Sequence, residues 1–545
     1  MAPSRRPGRV FADTELRLGQ VARTLFAAVA VCSLAAAYSC RLPWWLGPMG
    51  IAAFLASLRG ARPRTAAQLG LGVGTLVSAT ALSWLPEGLA RSSRCTFPIA
   101  VLIASGAALA YGVRYCFAAW ADARAVANDW PEGAGFIPGF AASELVLPGP
   151  MPWYLGVTAH DEPVLLQVAG VFGPIGVSTA VVCIGFLLLN LTRLVGILYE
   201  HGRRPSGIRH DPRVRSRTRG CVCWGALVVA FCTYGIWKLS HPTENDNVAG
   251  RSSRIGIVQH NSIPESTRSA RVGIDLIRQQ VLATWKLRGL GAELVVWGES
   301  AVSVAVPIAK VRELYPRLFT AALGVPSLIG AALTADTPAR FYNTAVSLNE
   351  RGEVLDVYVK RRLVPFSEEL PGKERFRFLS ELFPDARELP GEDRAATVEL
   401  LGHPVSVVIC FESLLPTLVR ESLMHDRGQA LFALVNDAWF GNTWEPWMHF
   451  AAAKLRAVEN HRYVVRASGT GISGIIDPFG RVRERSRPLS PANLLGRIDW
   501  HNETTPYQRF GDYPWWLAGP GVLFVAVTQR RRIAPRSCSQ GKNPV

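Results

Sequence analysis

Charged side chains are scarce in this sequence: they account for 19% of its 545 residues, whereas hydrophobic residues account for 49%. A chain with so little charge does not have the composition of a disordered protein, and its length allows two or more domains. The charge that is present is unbalanced. The chain has 59 Lys and Arg residues against 42 Asp and Glu residues, which gives a net charge of +17.

The excess positive charge lies in four short stretches, at 1–23, 59–64, 203–219 and 530–542. The rest of the chain is net neutral, so no basic face is left for a nucleic-acid groove, and we expect no nucleic-acid partner. Each stretch adjoins a long apolar run, which is how cytoplasmic loops of membrane proteins carry their Lys and Arg residues. The pattern predicts a membrane protein with these four stretches in the cytoplasm.

The apolar runs predict transmembrane helices, because they are long enough, or nearly so, to cross about 30 Å of hydrocarbon. The clear runs lie at 24–40, 43–58, 66–85, 98–120, 165–198, 221–239 and 513–529. An even number of crossings must separate the basic loops at 59–64 and 203–219, and only three clear runs do so. The weak segment 133–147, which holds Glu144, supplies the fourth crossing, unless it is re-entrant or interfacial.

This topology divides the chain into five parts. They are a cytoplasmic basic N-terminus at 1–23, a transmembrane domain of about seven helices at 24–240, an external domain at 245–510, a C-terminal transmembrane helix at 513–529 and a cytoplasmic basic tail at 530–545. Both termini are then cytoplasmic.

Cysteine pairs are missing from the external domain, where Cys410 is the one cysteine. The sequence therefore predicts neither a disulfide framework nor a zinc site there. No phosphate-binding GxxxxGK[ST] motif occurs, and we expect no cofactor and no metal. A lone cysteine in an oxidising compartment favours a reactive role.

Short β-rich runs alternate with helical patterns in the external domain, which predicts an α/β fold. Glu299, Lys360 and Cys410 each come directly after a strand-like run, and α/β folds gather catalytic side chains at the carboxyl ends of strands. A thiol nucleophile, a carboxylate that takes its proton and an ammonium that favours the thiolate and an oxyanion make a complete set. Taken singly, the three also fit a buried cysteine, a surface glutamate and a lysine lying along apolar surface.

Four sequence blocks resemble the signature blocks of the nitrilase superfamily. They are G-E-S at 298–300, K-x-x-L-V-P-F-x-E at 360–368, I-C-F-E at 409–412 and N-D-A-W-F-G at 436–441. Together with the preceding apolar helices, they are similar to the membrane branch of that superfamily, the apolipoprotein N-acyltransferases. The resemblance extends over about 130–515 in ordered blocks.

This resemblance implies a fold and a role for each site residue. The fold is a polytopic α-helical membrane domain plus an external α/β nitrilase-like domain, an α-β-β-α sandwich. Glu299 is then the general base, Lys360 the stabiliser of the oxyanion and Cys410 the nucleophile. Glu368 would orient Lys360, and Glu412 would sit beside the pocket or pair with a basic group.

Six aromatic residues near these blocks could line an acyl-chain entrance, or could equally belong to the domain core or touch the membrane surface. They are Phe366, Phe411, Trp439, Phe440, Trp444 and Trp447. Some positions depart from the family pattern: Ser367 stands where Gly is usual, Phe411 where Tyr is usual, and His260 where Gly is usual. The histidines of the domain, His403, His425, His449 and His461, are expected in helix packing or at the surface.

The activity implied is acyl transfer in the bacterial inner membrane, on its periplasmic side. A phospholipid, expected to be phosphatidylethanolamine, donates an acyl chain to Cys410, and the α-amine of diacylglyceryl-cysteine in an apolipoprotein accepts it. Two alternatives are a membrane-tethered amidase, in which water resolves the thioester, and a transporter or receptor whose external domain only binds. The few charges in the apolar runs and the complete triad disfavour the binding protein.

Overall fold

A computed structural model of the chain describes residues 19–93, 95–147, 151–201, 211–241, 252–262, 270–319, 323–335, 340–370, 375, 389–391, 398–425 and 427–528. Most of the basic N-terminus, the segment 203–210 and the tail at 530–545 lie outside the described residues. The described part begins with helices and continues with a domain of strands and helices.

The helical domain contains nine α-helices within the described residues. They are α1 (Gln20–Tyr38), α2 (Leu46–Ser57), α3 (Pro63–Ala81), α4 (Leu85–Ser93), α5 (Phe97–Ala127), α6 (Phe136–Val146), α7 (Pro163–Leu166), α8 (Ala169–His201) and α9 (Pro212–Ser240). Gly173, with φ of 65°, and Pro174 form a kink near the start of α8.

Four of these helices, α1, α5, α8 and α9, are long and apolar enough to cross a membrane. α3 and α4 pass the same test as a pair bent by 53°. Three predicted crossings fall on shorter apolar helices, at Leu46–Ser57, Phe136–Val146 and Tyr513–Val527. The count of about seven crossings before the catalytic domain and one after it therefore stays a prediction.

The weak segment at 133–147 contains α6, whose 11 residues would extend only about 16 Å. That is roughly half of the ~30 Å hydrocarbon thickness. Glu144 on this helix is fully buried and accepts a hydrogen bond from the Leu155 amide at 2.8 Å. Asp122 on α5 accepts one from the Gly133 amide at 2.7 Å and holds the turn that leads into α6. These acids have structural partners inside the helical domain.

The second domain contains thirteen strands within the described residues. They are β1 (Ser252–Gln259), β2 (Leu294–Trp297), β3 (Val302–Pro307), β4 (Ser327–Thr334), β5 (Phe341–Leu348), β6 (Val354–Val359), β7 (Val398–Leu400), β8 (His403–Ile409), β9 (Leu431–Val435), β10 (Val464–Ser468), β11 (Gly474–Ile476), β12 (Val482–Arg485) and β13 (Ala492–Asp499). The remaining helices are α10 (Ala270–Gly289), α11 (Val311–Phe319), α12 (Pro416–His425), α13 (Glu445–Asn460), α14 (Pro506–Phe510) and α15 (Ala518–Val527).

The strands form two mixed sheets. One has the order β13-β1-β2-β4-β5-β6, with β3 paired to β4, and the other has the order β12-β11-β10-β9-β8-β7. In the first sheet β1, β2 and β4 are parallel neighbours, and in the second β8, β9 and β10 are. Each sheet thus presents the carboxyl ends of adjacent parallel strands, which is where α/β folds place their sites.

The two sheets pack face to face and helices cover their outer faces. Val296 of the first sheet and Phe432 of the second belong to the same fully buried cluster between them. Tyr315 on α11 packs on the outside of the first sheet, and Val419 on α12 with Phe450 on α13 packs on the outside of the second. The fold is an α-β-β-α sandwich joined to a helical domain, so the predicted fold class is confirmed.

Helix α13 joins the two domains. Its residues Met448 and Leu455 belong to the same buried cluster as Phe54 of the helical domain. On the same helix, Lys454 pairs with Asp161 at 2.7 Å. Because apolar burial is the main stabilising term in folding, this shared core holds the catalytic domain against the helices.

Close packing of α3 against α5 yields a first prediction. A Cβ at Gly70 would lie 2.5 Å from the Tyr115 carbonyl oxygen, whereas a Cβ at Gly72 on the same helix would meet nothing within 4 Å. We expect Gly70→Val to destabilise the detergent-solubilised protein by about 1–3 kcal/mol, the usual cost of overpacking. Gly72→Val is the matched control, and thermal unfolding measures both. An equal fall in Tm for the two variants would contradict the close approach.

Candidate active site

Cys410 begins a 3-10 turn, Cys410–Leu414, directly after β8. Its backbone has a φ of 51°, in the left-handed region that residues with a side chain seldom adopt. Strain of this kind persists where the surrounding structure holds it, and it is common at active sites. The turn directs the Cys410 side chain out of the sheet, and Cys410 lines a cavity.

The cavity at Cys410 has an empty volume of about 470 Å³, including space open to solvent, and residues of both domains line it. The catalytic domain lines it with Glu299, Val364, Ser367, Glu368, Cys410, Asn436, Trp439 and Phe440. The helical domain contributes Leu85, Gly88, Leu89 and Ser92, all on α4, and Met151. The candidate nucleophile therefore faces a helix of the other domain.

The ammonium of Lys360 is fully buried between two carboxylates. Its Nζ lies 2.6 Å from Glu368 Oε1 and 3.3 Å from Glu299 Oε1. Asn343 donates a further hydrogen bond to Glu299 Oε1 at 2.7 Å. Removing one partner of such a buried pair would leave an uncompensated charge, so these groups hold one another in place.

Burial raises the pKa of the Cys410 thiol well above its usual value; the charge of Glu299 raises it further, while Lys360 lowers it. Burial also raises the pKa of Glu299, a shift that Lys360 opposes and Glu368 reinforces. The resting site at neutral pH therefore holds a thiol. Since the thiolate is the nucleophile, ionisation of Cys410 requires a base, and Glu299 lines the same cavity.

Glu412 links the turn at Cys410–Leu414 to the residues that follow β6. Its Oε2 accepts hydrogen bonds from the Ile409 amide and the Tyr358 hydroxyl, each at 2.8 Å. Its Oε1 accepts from the backbone amides of Arg361 at 2.7 Å and Arg362 at 3.0 Å. The carboxylate thus takes four donors and is fully buried. Arg361 and Arg362 are basic residues, but these hydrogen bonds to Glu412 come from their backbone amides.

The structure brings two of the six predicted aromatic residues, Trp439 and Phe440, to the cavity. The other four pack where the catalytic domain meets the helical domain; they are Phe366, Phe411, Trp444 and Trp447. Trp444 donates a hydrogen bond from Nε1 to the Ala81 carbonyl at 2.8 Å, at the end of α3. Contact of these residues with an acyl chain stays a prediction.

Sequence reasoning missed the position of His449, which was expected to serve helix packing. Its Nε2 lies 2.8 Å from Ser413 Oγ, which in turn lies 2.7 Å from the Cys410 carbonyl oxygen. His449 lies on α13, far along the chain from Cys410, so no short motif could have revealed this link. Asn343 belongs to the strand before Lys360, and nothing in its spacing indicated a contact with Glu299.

Two further features bear on cofactors and metals. The glycines at 469–474 have the G-x-G-x-x-G spacing of a dinucleotide-binding loop, but they join β10 to the antiparallel β11 and open no helix, as such a loop would. Asp437, Glu445 and His449 bring three ligand atoms within 4.8 Å of one another. Arg466 already donates to Asp437 at 2.8 Å and supplies the positive charge there, so the cluster does not fit a divalent ion.

The raised thiol pKa predicts the reactivity of Cys410 towards iodoacetamide. Alkylation should keep accelerating with pH beyond about 8.5, where an ordinary thiol ionises. In Glu299→Gln the profile should move to lower pH, because the variant removes a negative charge that raises the thiol pKa. Mass spectrometry of the Cys410 peptide at a series of pH values measures the rate. A profile that moves to higher pH in the variant would contradict this electrostatic coupling.

Comparisons with known proteins agree with this architecture. Residues 254–488 match the carbon-nitrogen hydrolase family, and residues 29–187 match the apolipoprotein N-acyltransferase N-terminal domain. The chain is 28% identical to an apolipoprotein N-acyltransferase of Azotobacter vinelandii, over 91% of this chain and 92% of that one. It is 28% identical to one of Pseudomonas aeruginosa, over 90% and 93%.

Among solved structures, the chain is similar to an amidase from Nesterenkonia sp. AN1, with 19% identity, a TM-score of 0.35, and coverage of 50% of this chain and 97% of the amidase. The resemblance found in the sequence is confirmed by the matched domains and the curated relatives. The chain thus matches the apolipoprotein N-acyltransferase N-terminal domain and the carbon-nitrogen hydrolase domain in that order, and its described residues include four helices long and apolar enough to cross a membrane.

Proposed function

We propose that the chain transfers a fatty acyl chain from a membrane phospholipid to the N-terminal amine of diacylglyceryl-cysteine in apolipoproteins. The acyl chain passes through a thioester on Cys410, and phosphatidylethanolamine is the proposed donor. The name of the relatives, apolipoprotein N-acyltransferase, supports this reaction class.

The observation that carries the proposal is the position of the cavity. Cys410 and Glu299 line one side of it, and Leu85 and Leu89 on α4 line the other. α4 continues α3 as the second half of an apolar bent pair. A site between a thiol nucleophile and apolar membrane helices suits a reaction whose substrates both carry lipid chains. An amidase that acts on a soluble amide would not need an apolar membrane helix beside its nucleophile.

In the first half of the reaction Glu299 takes the thiol proton of Cys410. The sulfur then attacks the ester carbonyl of the phospholipid, and the negative charge that develops on the oxygen is stabilised by the Lys360 ammonium. When the tetrahedral intermediate collapses, the carbon–oxygen bond to the glycerol breaks. Glu299 returns the proton to the departing alkoxide, so a lysophospholipid leaves and Cys410 retains the acyl group as a thioester.

In the second half the neutral α-amine of the acceptor attacks the thioester. Glu299 takes a proton from the attacking nitrogen, and Lys360 again faces the oxyanion. Collapse forms the amide and breaks the carbon–sulfur bond, and the proton on Glu299 returns to the sulfur. Glu368, 2.6 Å from Lys360 Nζ, keeps the ammonium in place through both halves.

We further propose that the protein lies in the bacterial inner membrane with both termini in the cytoplasm and the catalytic domain, 245–510, in the periplasm. The four basic stretches support this orientation, since Lys and Arg are in excess in cytoplasmic loops. A protease added to intact spheroplasts should then cleave the catalytic domain and spare an epitope at the C-terminus. Cleavage that requires lysed spheroplasts would reverse the orientation.

The acyl-enzyme is the direct test of the proposed reaction. Incubation with phosphatidylethanolamine should add the mass of one acyl chain to Cys410, detected by intact-mass analysis, and a diacylated lipopeptide with a free amine should then remove it. Cys410→Ala should gain no mass and transfer no acyl chain while remaining in the membrane.

Two other outcomes separate the alternatives. Loss of the acyl mass in water alone, without the lipopeptide, would support the membrane-tethered amidase. Undiminished acyl transfer by Cys410→Ala would refute Cys410 as the nucleophile. Replacement of the oxyanion partner, Lys360→Met, should lower the rate by at least about 10²-fold, the usual cost of losing such a group.

A further inference from the structure

Next to Cys410, among residues that do not line the cavity, lies a cluster of polar residues that the proposed reaction does not use. Asp437, Glu445, His449, Arg466 and Ser413 are each at most 2% exposed. Buried polar groups are costly unless they are hydrogen-bonded, so a cluster of this size needs a structural or functional reason.

The cluster contains a continuous hydrogen-bonded chain that ends on the nucleophile. Asp437 Oδ1 lies 3.0 Å from His449 Nδ1, and His449 Nε2 lies 2.8 Å from Ser413 Oγ. Ser413 Oγ also lies 2.7 Å from the Cys410 carbonyl oxygen, so its one proton is shared between that oxygen and His449 Nε2. Arg466 anchors the far end, where its Nη2 donates to Asp437 Oδ2 at 2.8 Å.

The charges define how the chain is oriented. Burial alone would raise the pKa of Asp437, but the charge of Arg466 and the contact with His449 hold it below the usual value. Asp437 is therefore a carboxylate and only accepts, so His449 carries a proton on Nδ1. Burial and the charge of Arg466 lower the pKa of His449, so the ring is neutral and its Nε2 accepts from the Ser413 hydroxyl. The hydroxyl is held in place in the way that a second group orients a catalytic imidazole. Here the imidazole orients a hydroxyl.

The end of the chain is the backbone of Cys410, whose φ of 51° is strained for a residue with a side chain. The Ser413 hydroxyl, held by His449, lies against this carbonyl and resists rotation of that peptide unit. Such a rotation would turn the thiol away from Glu299 and Lys360. We propose that His449, held by Asp437 and acting through Ser413, is a positioning residue that keeps the Cys410 turn in its reactive conformation.

A metal ion at the cluster is the competing interpretation, since Asp437, Glu445 and His449 have ligand atoms within 4.8 Å of one another. Both ring nitrogens of His449 already face protein oxygens, and Arg466 occupies Asp437. An ion would have to displace at least one of these contacts. The positioning role requires no such displacement.

The inference rests on the proposed role of Cys410 as nucleophile but not on the identity of its substrates. Two readouts therefore serve as the test: alkylation of Cys410 by iodoacetamide, which needs no lipid, and kcat and KM for acyl transfer in the full-length protein. The variants are Ser413→Ala, His449→Gln and the double variant. His461→Gln is the matched control, because His461 is equally buried, follows the end of α13 and faces Glu503 at 3.5 Å.

Each single variant should lower kcat and the alkylation rate by about 10-fold or more, as small misplacements of reacting groups do, with KM within about twofold of the wild type. The double variant should fall no further than the worse single one, since both residues act in one chain. His461→Gln should leave both rates unchanged, and thermal unfolding should show all variants folded at the assay temperature.

Four results would overturn the proposal. These are unchanged alkylation in Ser413→Ala, effects that multiply in the double variant, an equal loss in His461→Gln, and loss of wild-type activity with EDTA that Zn²⁺ restores. The last result would establish the metal interpretation. A wild type that is alkylated normally at Cys410 but transfers no acyl chain would instead refute the proposed function and leave the positioning role open to the alkylation test.

Discussion

The arrangement of the site depends on one interaction: a fully buried ammonium, Lys360, held between the carboxylates of Glu299 and Glu368. The cost of removing these charges from water is offset only while all three stay together. Glu299 follows β2, Lys360 follows β6, and Glu368 lies beyond Lys360 in a turn where its Oε2 accepts from the Val364 amide at 2.9 Å. Formation of the first sheet and ordering of this turn are thus coupled to the pairing of charges.

The second sheet supplies the proposed nucleophile, Cys410, and Glu412 connects this sheet to the first. Its carboxylate bridges the Ile409 amide on one sheet and the Arg361 amide at the end of β6 on the other. Several hydrogen bonds offset the cost of burying a carboxylate, and the loss of one of them destabilises the folded protein. The distance between thiol and ammonium is therefore set by the packing of two sheets rather than by a flexible loop.

The strands that carry the site could be predicted because they are short buried apolar runs, each ended by one polar residue. β13 was not predicted: its residues are mostly half-exposed, and it includes Gly496. It forms a strand because it pairs antiparallel with the edge of β1, with Ser252 opposite Asp499. β1 lies more than 200 positions earlier in the chain. Local patterns carry no information about such pairing.

The same limit explains what sequence reasoning gained and missed around the site. The positions of the basic loops predicted a membrane crossing near 133–147. They carry no information about the length of the helix there, and α6 has 11 residues. His449 was assigned to packing because no spacing links it to Cys410. Glu299, Lys360 and Cys410 could be proposed as a triad because each comes directly after its own strand. The six aromatic residues divide between the cavity and the contact of the two domains, and only tertiary packing distinguishes those positions.

Burial of Cys410 has one more consequence, which concerns oxidation. Conversion of a cysteine to sulfenic acid, or its capture in a mixed disulfide, requires thiolate character and access. Surrounding protein raises the pKa of this thiol, and α4 lines one side of its cavity. A thiol with so little thiolate character reacts slowly with oxidants, which would let the proposed enzyme keep an unpaired cysteine in the periplasm, the compartment proposed for its second domain.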